Sequence, residues 1–101
     1  MPQPHISIPK EKINDFCKRH YVRRLALFGS VLRDDFRSDS DVDILVEFES
    51  GHAVGFFEMA DMEIELSKTL KRRVDLRTPA ELSRYFRDDV LKTAQVQYAK
   101  G

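Results

Sequence analysis

The most regular hydrophobic pattern in the chain is the alternation of polar and apolar positions from Asp41 to Phe48. Successive side chains of a β-strand point to opposite faces, so this alternation predicts a strand that is buried on one side. One face would consist of Val42, Ile44, Val46 and Phe48, and the other of Asp41, Asp43, Leu45 and Glu47. We expect the apolar face in the core and the face with both aspartates partly open.

Two shorter apolar runs, residues 24–28 and residues 73–77, predict further strands. Residues 9–20 have apolar or aromatic side chains at positions i, i+3, i+4 and i+7, which is the pattern of a helix packed on a sheet. Within this helix we expect Cys17 in the core and His20 at the helix end, and we do not interpret either as a ligand or a catalyst.

The segment from residue 54 to residue 72 also has helical spacing, but its apolar side chains cover more than half of the helix circumference. They are Phe56, Phe57, Met59, Ala60, Met62, Ile64, Leu66 and Leu70. A helix on one face of a sheet needs a narrower apolar stripe. The excess either packs under a C-terminal helix, which is the interpretation we favour, or forms an exposed patch that binds another protein.

The run Thr78-Pro79-Ala80-Glu81 predicts the start of that C-terminal helix, because it combines a capping box with proline at the first helical position. The apolar stripe of the helix would comprise Leu82, Tyr85, Phe86, Val90 and Val96, with Tyr98 at a frayed end. The predicted order is α-β-α-β-α-β-α, with a short helix after the first strand. It indicates one mixed α+β domain over residues 1–101, a small mixed sheet with helices on one face.

The turn after the first predicted strand is the first candidate for chemistry. Gly29 lets the backbone turn sharply or lie close to a ligand. Ser30 would cap a short helix, whose free N–H groups and positive dipole end could hold a phosphate group. Arg33 lies one turn later on the same side, so it could reach that phosphate, contact a partner or remain a solvated arginine.

The second candidate is the pair of aspartates that begins the alternating strand. Asp41 and Asp43 are neighbours on one face, about 7 Å apart at Cα, which suits two carboxylates that converge on a hard cation such as Mg²⁺. Strands disfavour aspartate, so we prefer this interpretation to a solvated strand start. A calcium loop is excluded, because its sixth and twelfth positions would be Ile44 and Ser50 instead of glycine and glutamate.

Composition restricts the remaining possibilities. The chain has 101 residues, 42% of them hydrophobic and 34% charged, which is typical of a globular domain. It contains 17 Lys and Arg and 17 Asp and Glu, so a broad basic surface for direct nucleic-acid binding is not expected. The single cysteine fits a reducing cytoplasm, and we find neither a membrane-spanning run nor a signal-peptide pattern.

The two candidates together resemble a known superfamily. Phe-Gly-Ser at residues 28–30, ten intervening residues, and Asp-Val-Asp-Ile at residues 41–44 are similar to the signature of DNA polymerase β-type nucleotidyltransferases. Within that superfamily the chain most resembles minimal nucleotidyltransferase (MNT) domains, often encoded beside a HEPN-domain protein. Arg33 and the run at residues 40–48 are typical of these domains, and the resemblance extends over residues 25–75.

The resemblance implies a set of site residues and ligands. ATP would be the substrate, with its phosphates on Gly29, Ser30 and Arg33. Two Mg²⁺ ions would be held by Asp41 and Asp43 together with a third carboxylate, and all three carboxylates would be catalytic. That third carboxylate is Asp75, whose setting of a basic run followed by Val-Asp-Leu matches the family. The alternative for Asp75 is a salt bridge to Arg73 or Arg77.

The resemblance also implies a partner. The chain would be a type VII antitoxin that transfers AMP from ATP to a tyrosine of a HEPN ribonuclease toxin and so neutralises it. One alternative is a non-catalytic antitoxin or binding module that masks its partner, for which the wide apolar surface of the helix at residues 54–72 argues. Another is a nucleotidyltransferase that acts on RNA or a small molecule, which the zero net charge and the absence of an extra domain disfavour.

Overall fold

A computed structural model describes residues 6–33, 36–37, 39–52 and 54–100 of the chain. The regular elements are α1 (Lys10–Arg19), β1 (Val22–Phe28), β2 (Val42–Phe48), α2 (Phe56–Leu70), β3 (Val74–Arg77), α3 (Arg84–Thr93) and β4 (Gln95–Ala99). Two 3₁₀ turns, Gly29–Leu32 and Pro79–Glu81, follow β1 and β3. All three predicted strands and the first two long helices are therefore confirmed to within a few residues.

The strands form one mixed sheet in the order β3-β2-β1-β4, which confirms the predicted sheet class. β1 pairs antiparallel with both β2 and β4, whereas β2 and β3 are parallel. The parallel pair requires a crossover connection, and α2 supplies it, as is usual for such pairs.

One hydrophobic cluster joins α1 and α2 to the face of β2 that the alternation predicted to be apolar. Its buried members among the described residues are Ile13, Phe16, Cys17, Val22, Leu25, Leu27, Val31, Val42, Ile44, Val46, Met62, Leu66, Leu70, Val74 and Leu76. Ala26 and Leu45, which are register partners, are also buried but lie outside this cluster. Both long helices thus cover one face of the sheet, as expected. On the opposite face of β1 and β2, Ala26 and Leu45 are buried, whereas Phe28, Asp43 and Glu47 are partly exposed.

The C-terminal segment differs from the prediction. The helix that begins at Arg84 ends at Thr93, and Val96 and Tyr98 belong to the edge strand β4, which pairs with Ala26 and Leu25 of β1. Tyr98 packs against the core and is not at a frayed helix end. Pairing with β4 satisfies the N–H and C=O groups at the edge of β1 that would otherwise be left to water, a tertiary gain that the spacing of apolar residues does not reveal.

The start of the C-terminal helix was also predicted too early. Thr78 and Glu81 do form the capping box, with the Thr78 N–H donating to Glu81 Oε1 at 3.4 Å, but this box opens the 3₁₀ turn Pro79–Glu81. The α-helix begins after Ser83, whose hydroxyl accepts a hydrogen bond from the Tyr85 N–H at 3.3 Å.

The excess apolar surface of α2 does not pack under α3, so the interpretation that we favoured is wrong. Phe56 is 82% exposed and Phe57 is 83% exposed, and Ile64 is exposed as well. None of the residues of α3 is buried. The aromatic start of α2 is therefore exposed, as in the second interpretation, and its binding to another protein stays a prediction.

The remaining expectations concern single residues. Cys17 is buried, and His20 lies at the end of α1, where its Nε2 is 3.2 Å from Glu65 Oε1. His52 lies in a turn, in which its N–H donates to the Glu49 oxygen, and its ring stacks on that of Tyr21. His5 lies outside the described residues. None of the described helices is long and apolar enough to cross a membrane.

We expect the Cys17 thiol to react with iodoacetamide far more slowly in the folded protein than in denaturant. The side chain has no exposed surface, and burial raises the pKa of the thiol to about 12. Compared with a free cysteine, the reactive thiolate is then on the order of 10³-fold rarer at neutral pH. Alkylation followed by mass spectrometry measures both rates, and equal rates would show that the α1 contact with the sheet opens readily.

Candidate active site

Gly29 forms a sharp turn at the end of β1 and lies against a carboxylate. Its φ is +75°, a left-handed conformation that glycine adopts without strain. A Cβ atom built on this residue would be only 2.5 Å from Asp43 Oδ2. The glycine predicted for a close approach is therefore required by Asp43 of the neighbouring strand as well as by the turn.

Ser30 does not cap the turn, which corrects the sequence-based expectation. The N-cap position of the turn Gly29–Leu32 belongs to Phe28, and no side chain caps it. Instead, Ser30 Oγ donates a hydrogen bond to the backbone oxygen of Asp41 at 3.4 Å. The hydroxyl thus ties the glycine turn to the residue that precedes β2.

The parallel pairing of β2 and β3 brings two of the predicted carboxylates side by side. Asp43 is the register partner of Asp75, and neighbouring strands lie about 4.8 Å apart. Asp41 precedes β2 by one residue and is exposed, and it is two residues from Asp43, on the same side of the chain. The three predicted aspartates therefore lie along the β2–β3 side of the sheet face that the long helices leave uncovered.

The electrostatic setting of Asp43 differs from that of an ordinary surface carboxylate. Burial is the largest cause that raises its pKa, and the carboxylates of Asp75 and Asp41 raise it further. The charges of Arg77 and Arg33 act in the opposite direction. Arg33, the arginine predicted to meet a phosphate, therefore lies close enough to Asp43 for its charge to act on that carboxylate.

Two arginines pair with the outer carboxylates of the site. Arg77 Nη2 lies 3.0 Å from Asp75 Oδ2, and Arg73 Nη1 lies 3.9 Å from Asp41 Oδ1. The salt bridge considered as the alternative for Asp75 therefore exists beside its register pairing with Asp43. Since both bridges are partly exposed, each contributes little to stability and can be exchanged for another cation.

Of the other acidic residues near the site, Asp39 is exposed, and Asp34 and Asp35 lie outside the described residues. Sequence reasoning missed Arg72, whose guanidinium contacts the segment before Asp41. The basic run at residues 71–73 gives no sequence signal for this contact, because nothing in the sequence connects it to residues more than thirty positions earlier.

Known proteins are similar to this chain in sequence and in fold. The sequence model of the nucleotidyltransferase domain family matches residues 10–96. A Methanocaldococcus jannaschii protein named as a candidate protein adenylyltransferase is 33% identical over 85 residues, which are 84% of this chain and 89% of that protein. Protein adenylyltransferase MntA of Thermococcus cleftensis is 41% identical over 59 residues, and this match spans 58% of each chain.

Solved structures of other proteins have a similar fold. A candidate minimal nucleotidyltransferase, 36% identical, superposes with a TM-score of 0.69 over 84% of this chain and 85% of that one. A toxin–antitoxin structure with AMP-PNP gives 0.73 at 19% identity, covering 92% and 75% of the two chains. A complex of a tri-AMPylated Shewanella oneidensis HEPN toxin with its MNT antitoxin gives 0.60 at 18% identity, covering 90% and 70%.

The last two likenesses, at under 25% identity, support the fold alone. The match over residues 10–96 includes the glycine turn, both aspartates of the alternating motif and Asp75. The resemblance identified from those motifs is thereby confirmed, and the chain belongs to the nucleotidyltransferase domain family.

Proposed function

We propose that the chain is a metal-dependent adenylyltransferase and antitoxin, which transfers AMP from ATP to a tyrosine of a partner HEPN-domain toxin and so neutralises it. The observation that carries this proposal is the position of Asp43, whose carboxylate lies against Gly29 and beside Asp75. Further support comes from relatives named protein adenylyltransferases and from a neighbouring fold that occurs in a complex with a tri-AMPylated HEPN toxin.

The carboxylates fit a divalent cation by their chemistry and placement. Aspartate oxygens are the ligands that Mg²⁺ prefers, and the pairing of Asp43 with Asp75 offers such ligands from two strands. No group of three or more His, Cys, Asp or Glu is already gathered around one point in the described parts of the chain. We therefore expect Asp41 and Asp75 to exchange their arginine partners for the cation when nucleotide binds. Two ions are expected.

The proposed reaction is an in-line displacement at the α-phosphorus of ATP. The tyrosine oxygen forms a bond to this phosphorus, the bond from phosphorus to the β-bridging oxygen breaks, and pyrophosphate leaves. Asp75 would accept the tyrosine proton directly or bind the second ion. Mg²⁺ held by the aspartates would neutralise charge that develops on the phosphates.

The glycine turn would position the nucleotide. Because Gly29 has no side chain, phosphate oxygens can approach the backbone beside Asp43. Ser30 holds the turn to Asp41, so the phosphate site and the cation site keep a fixed separation. Arg33, whose charge reaches Asp43, would contact the outer phosphates. Most of the rate enhancement would come from this positioning and from electrostatic stabilisation.

The proposal is tested by intact-mass spectrometry of the HEPN-domain protein encoded beside this chain. We expect a gain of one or more AMP units after incubation with the chain, Mg²⁺ and ATP. No gain is expected with the α,β-methylene analogue of ATP, because the bond to the leaving pyrophosphate cannot break. Unchanged mass in ATP, with the two proteins in a stable complex, would reject AMP transfer to this partner.

A second function is favoured by one observation, the exposure of Phe56 and Phe57 at the start of α2. Such an aromatic patch is typical of protein interfaces, and binding through it could neutralise a partner by masking alone. Toxin neutralisation in cells separates the two functions. Under masking, substitution of Asp43 leaves neutralisation intact and Phe56→Ala/Phe57→Ala abolishes it, whereas under catalysis the Asp43 substitution abolishes it.

A further inference from the structure

Arg72 connects the end of α2 to the chain segment that leads into β2. Its Nη2 atom donates hydrogen bonds to the backbone oxygen of Arg37 at 2.6 Å and to that of Ser40 at 3.1 Å. The same guanidinium lies over the ring of Phe36, 4.5 Å from the ring centroid. One side chain therefore contacts three residues of the segment immediately before Asp41.

The segment that Arg72 contacts is itself closed into a turn. The Ser40 N–H donates to the Arg37 oxygen at 3.1 Å, and the Arg37 N–H donates to Ser40 Oγ, also at 3.1 Å. The Arg37 oxygen thus accepts from both Ser40 and Arg72. Because the turn is already closed by its own hydrogen bonds, the contacts with Arg72 hold the whole turn in position relative to α2.

The backbone around Asp41 is held at three consecutive points. Arg72 binds the oxygen of Ser40, Ser30 Oγ binds the oxygen of Asp41 at 3.4 Å, and the Val42 N–H donates to the Arg73 oxygen at 2.8 Å. The Asp41 carboxylate itself is exposed, so its location depends on this backbone more than on packing of its side chain.

The backbone at Arg72 is also held by hydrogen bonds. Lys71 adopts a left-handed conformation with φ of 56°, which turns the chain at the end of α2, and the Arg72 N–H donates to the Ser67 oxygen at 3.2 Å. Ser67 Oγ then accepts from the Val74 N–H at 3.0 Å. The end of α2 and the start of β3 therefore form a rigid support from which the Arg72 side chain extends.

We infer that Arg72 is a positioning residue that holds the Arg37–Ser40 turn, and through it the Asp41 carboxylate, in the geometry that binds a divalent cation. This inference rests on the proposed function, since it takes Asp41 to be a cation ligand. A planar guanidinium suits the role because it can donate to carbonyl oxygens and stack on an aromatic ring at once, which an ammonium group cannot do as well.

The test is the affinity of the free protein for Mn²⁺, used as a spectroscopic substitute for Mg²⁺ and followed by electron paramagnetic resonance. We expect Arg72→Ala to weaken Mn²⁺ binding about 10-fold, the usual effect of losing a residue that orients a ligand. A merely electrostatic role predicts the opposite sign, because removing a positive charge near Asp41 strengthens cation binding. Tighter or unchanged binding in Arg72→Ala would overturn the inference.

Two further variants make the test specific. Arg72→Lys keeps the positive charge but loses the planar guanidinium that stacks on Phe36. We therefore expect its Mn²⁺ affinity to fall nearly as much as that of Arg72→Ala. Arg84→Ala removes an arginine of α3 that also lies over an aromatic ring, that of Tyr85, at 5.5 Å from the ring centroid. Wild-type Mn²⁺ affinity is expected for this control. Wild-type affinity in Arg72→Lys as well would contradict a positioning role of the Arg72 guanidinium.

Amide hydrogen exchange gives a readout that does not require cation binding. In Arg72→Ala, we expect the Ser40 N–H to exchange about 10-fold faster than in the wild type, while the Ile44 N–H in the core of β2 exchanges at its wild-type rate. Equal acceleration at both positions would indicate general destabilisation and would overturn the inference. If the wild-type protein binds no Mn²⁺, the proposed function fails, and the exchange rates alone decide whether Arg72 holds the turn.

Discussion

Asp43→Asn is expected to lower the rate of AMP transfer by at least about 100-fold while the protein stays folded and bound to its partner. Asparagine has nearly the same size, so the contact with Gly29 is kept and the negative charge is lost. Substitutions that only disturb the support of a metal ligand commonly cost 10–100-fold, and removal of a ligand charge should cost at least as much. Burial raises the pKa of Asp43, and a bound cation would favour its charged form, as the charges of Arg77 and Arg33 already do.

The matched control for this prediction is Asp39→Asn. It removes the same charge from an exposed aspartate two residues before Asp41, outside the β2–β3 pair. We expect this variant to transfer AMP at nearly the wild-type rate, measured from the increase in mass of the partner protein with time. If both variants lost activity equally, the effect would come from net charge and not from the position of Asp43.

Gly29→Ala is expected to reduce AMP transfer about 100-fold and to destabilise the fold. The added methyl group would meet Asp43 Oδ2 at 2.5 Å, so the carboxylate or the turn must move. A displacement of about 1 Å in a catalytic group is enough for a loss of this size. In addition, the φ of +75° places a residue with a Cβ atom in a conformation that costs roughly 1–2 kcal/mol.

Gly51→Ala separates these two effects. Gly51 has a φ of +81°, but a Cβ atom there would have no neighbour within 4 Å. We expect this control to lose the free energy of unfolding that is due to the backbone conformation, roughly 1–2 kcal/mol, and to keep its activity. Denaturant unfolding and initial rates of transfer measure the two quantities. Equal loss of activity in both glycine variants would rule out a specific clash with Asp43.

The alternation in β2 illustrates how far a local pattern reaches. The period of two in the sequence determines which residues share a face, because the geometry of a strand leaves no other choice, and Val42, Ile44 and Val46 are buried as predicted. The spacing of Gly29 and Asp43 resembles the signature of the nucleotidyltransferases, and this resemblance identified the family. Their contact, by contrast, depends on the antiparallel register of β1 and β2, which pairs Phe28 with Asp43.

The C-terminal segment shows where local patterns fail. A residue such as Val96 fits the spacing of a helical stripe and equally the alternation of a short strand, and the sequence offers no local reason to choose. The choice depends on β1, whose free edge accepts Gln95–Ala99 as a pairing strand. The same holds for Phe56 and Phe57, whose exposure depends on where α3 lies.

The sequence by itself therefore determined the strand and helix periods, the family and the set of candidate ligands, because these depend on the order and spacing of residues. The tertiary structure decided which groups meet: Asp43 with Gly29 and Asp75, and Arg72 with the turn before Asp41. Such contacts arise from strand register and from the direction in which a helix ends. Both are set by the packing of the whole core, and no single segment specifies them.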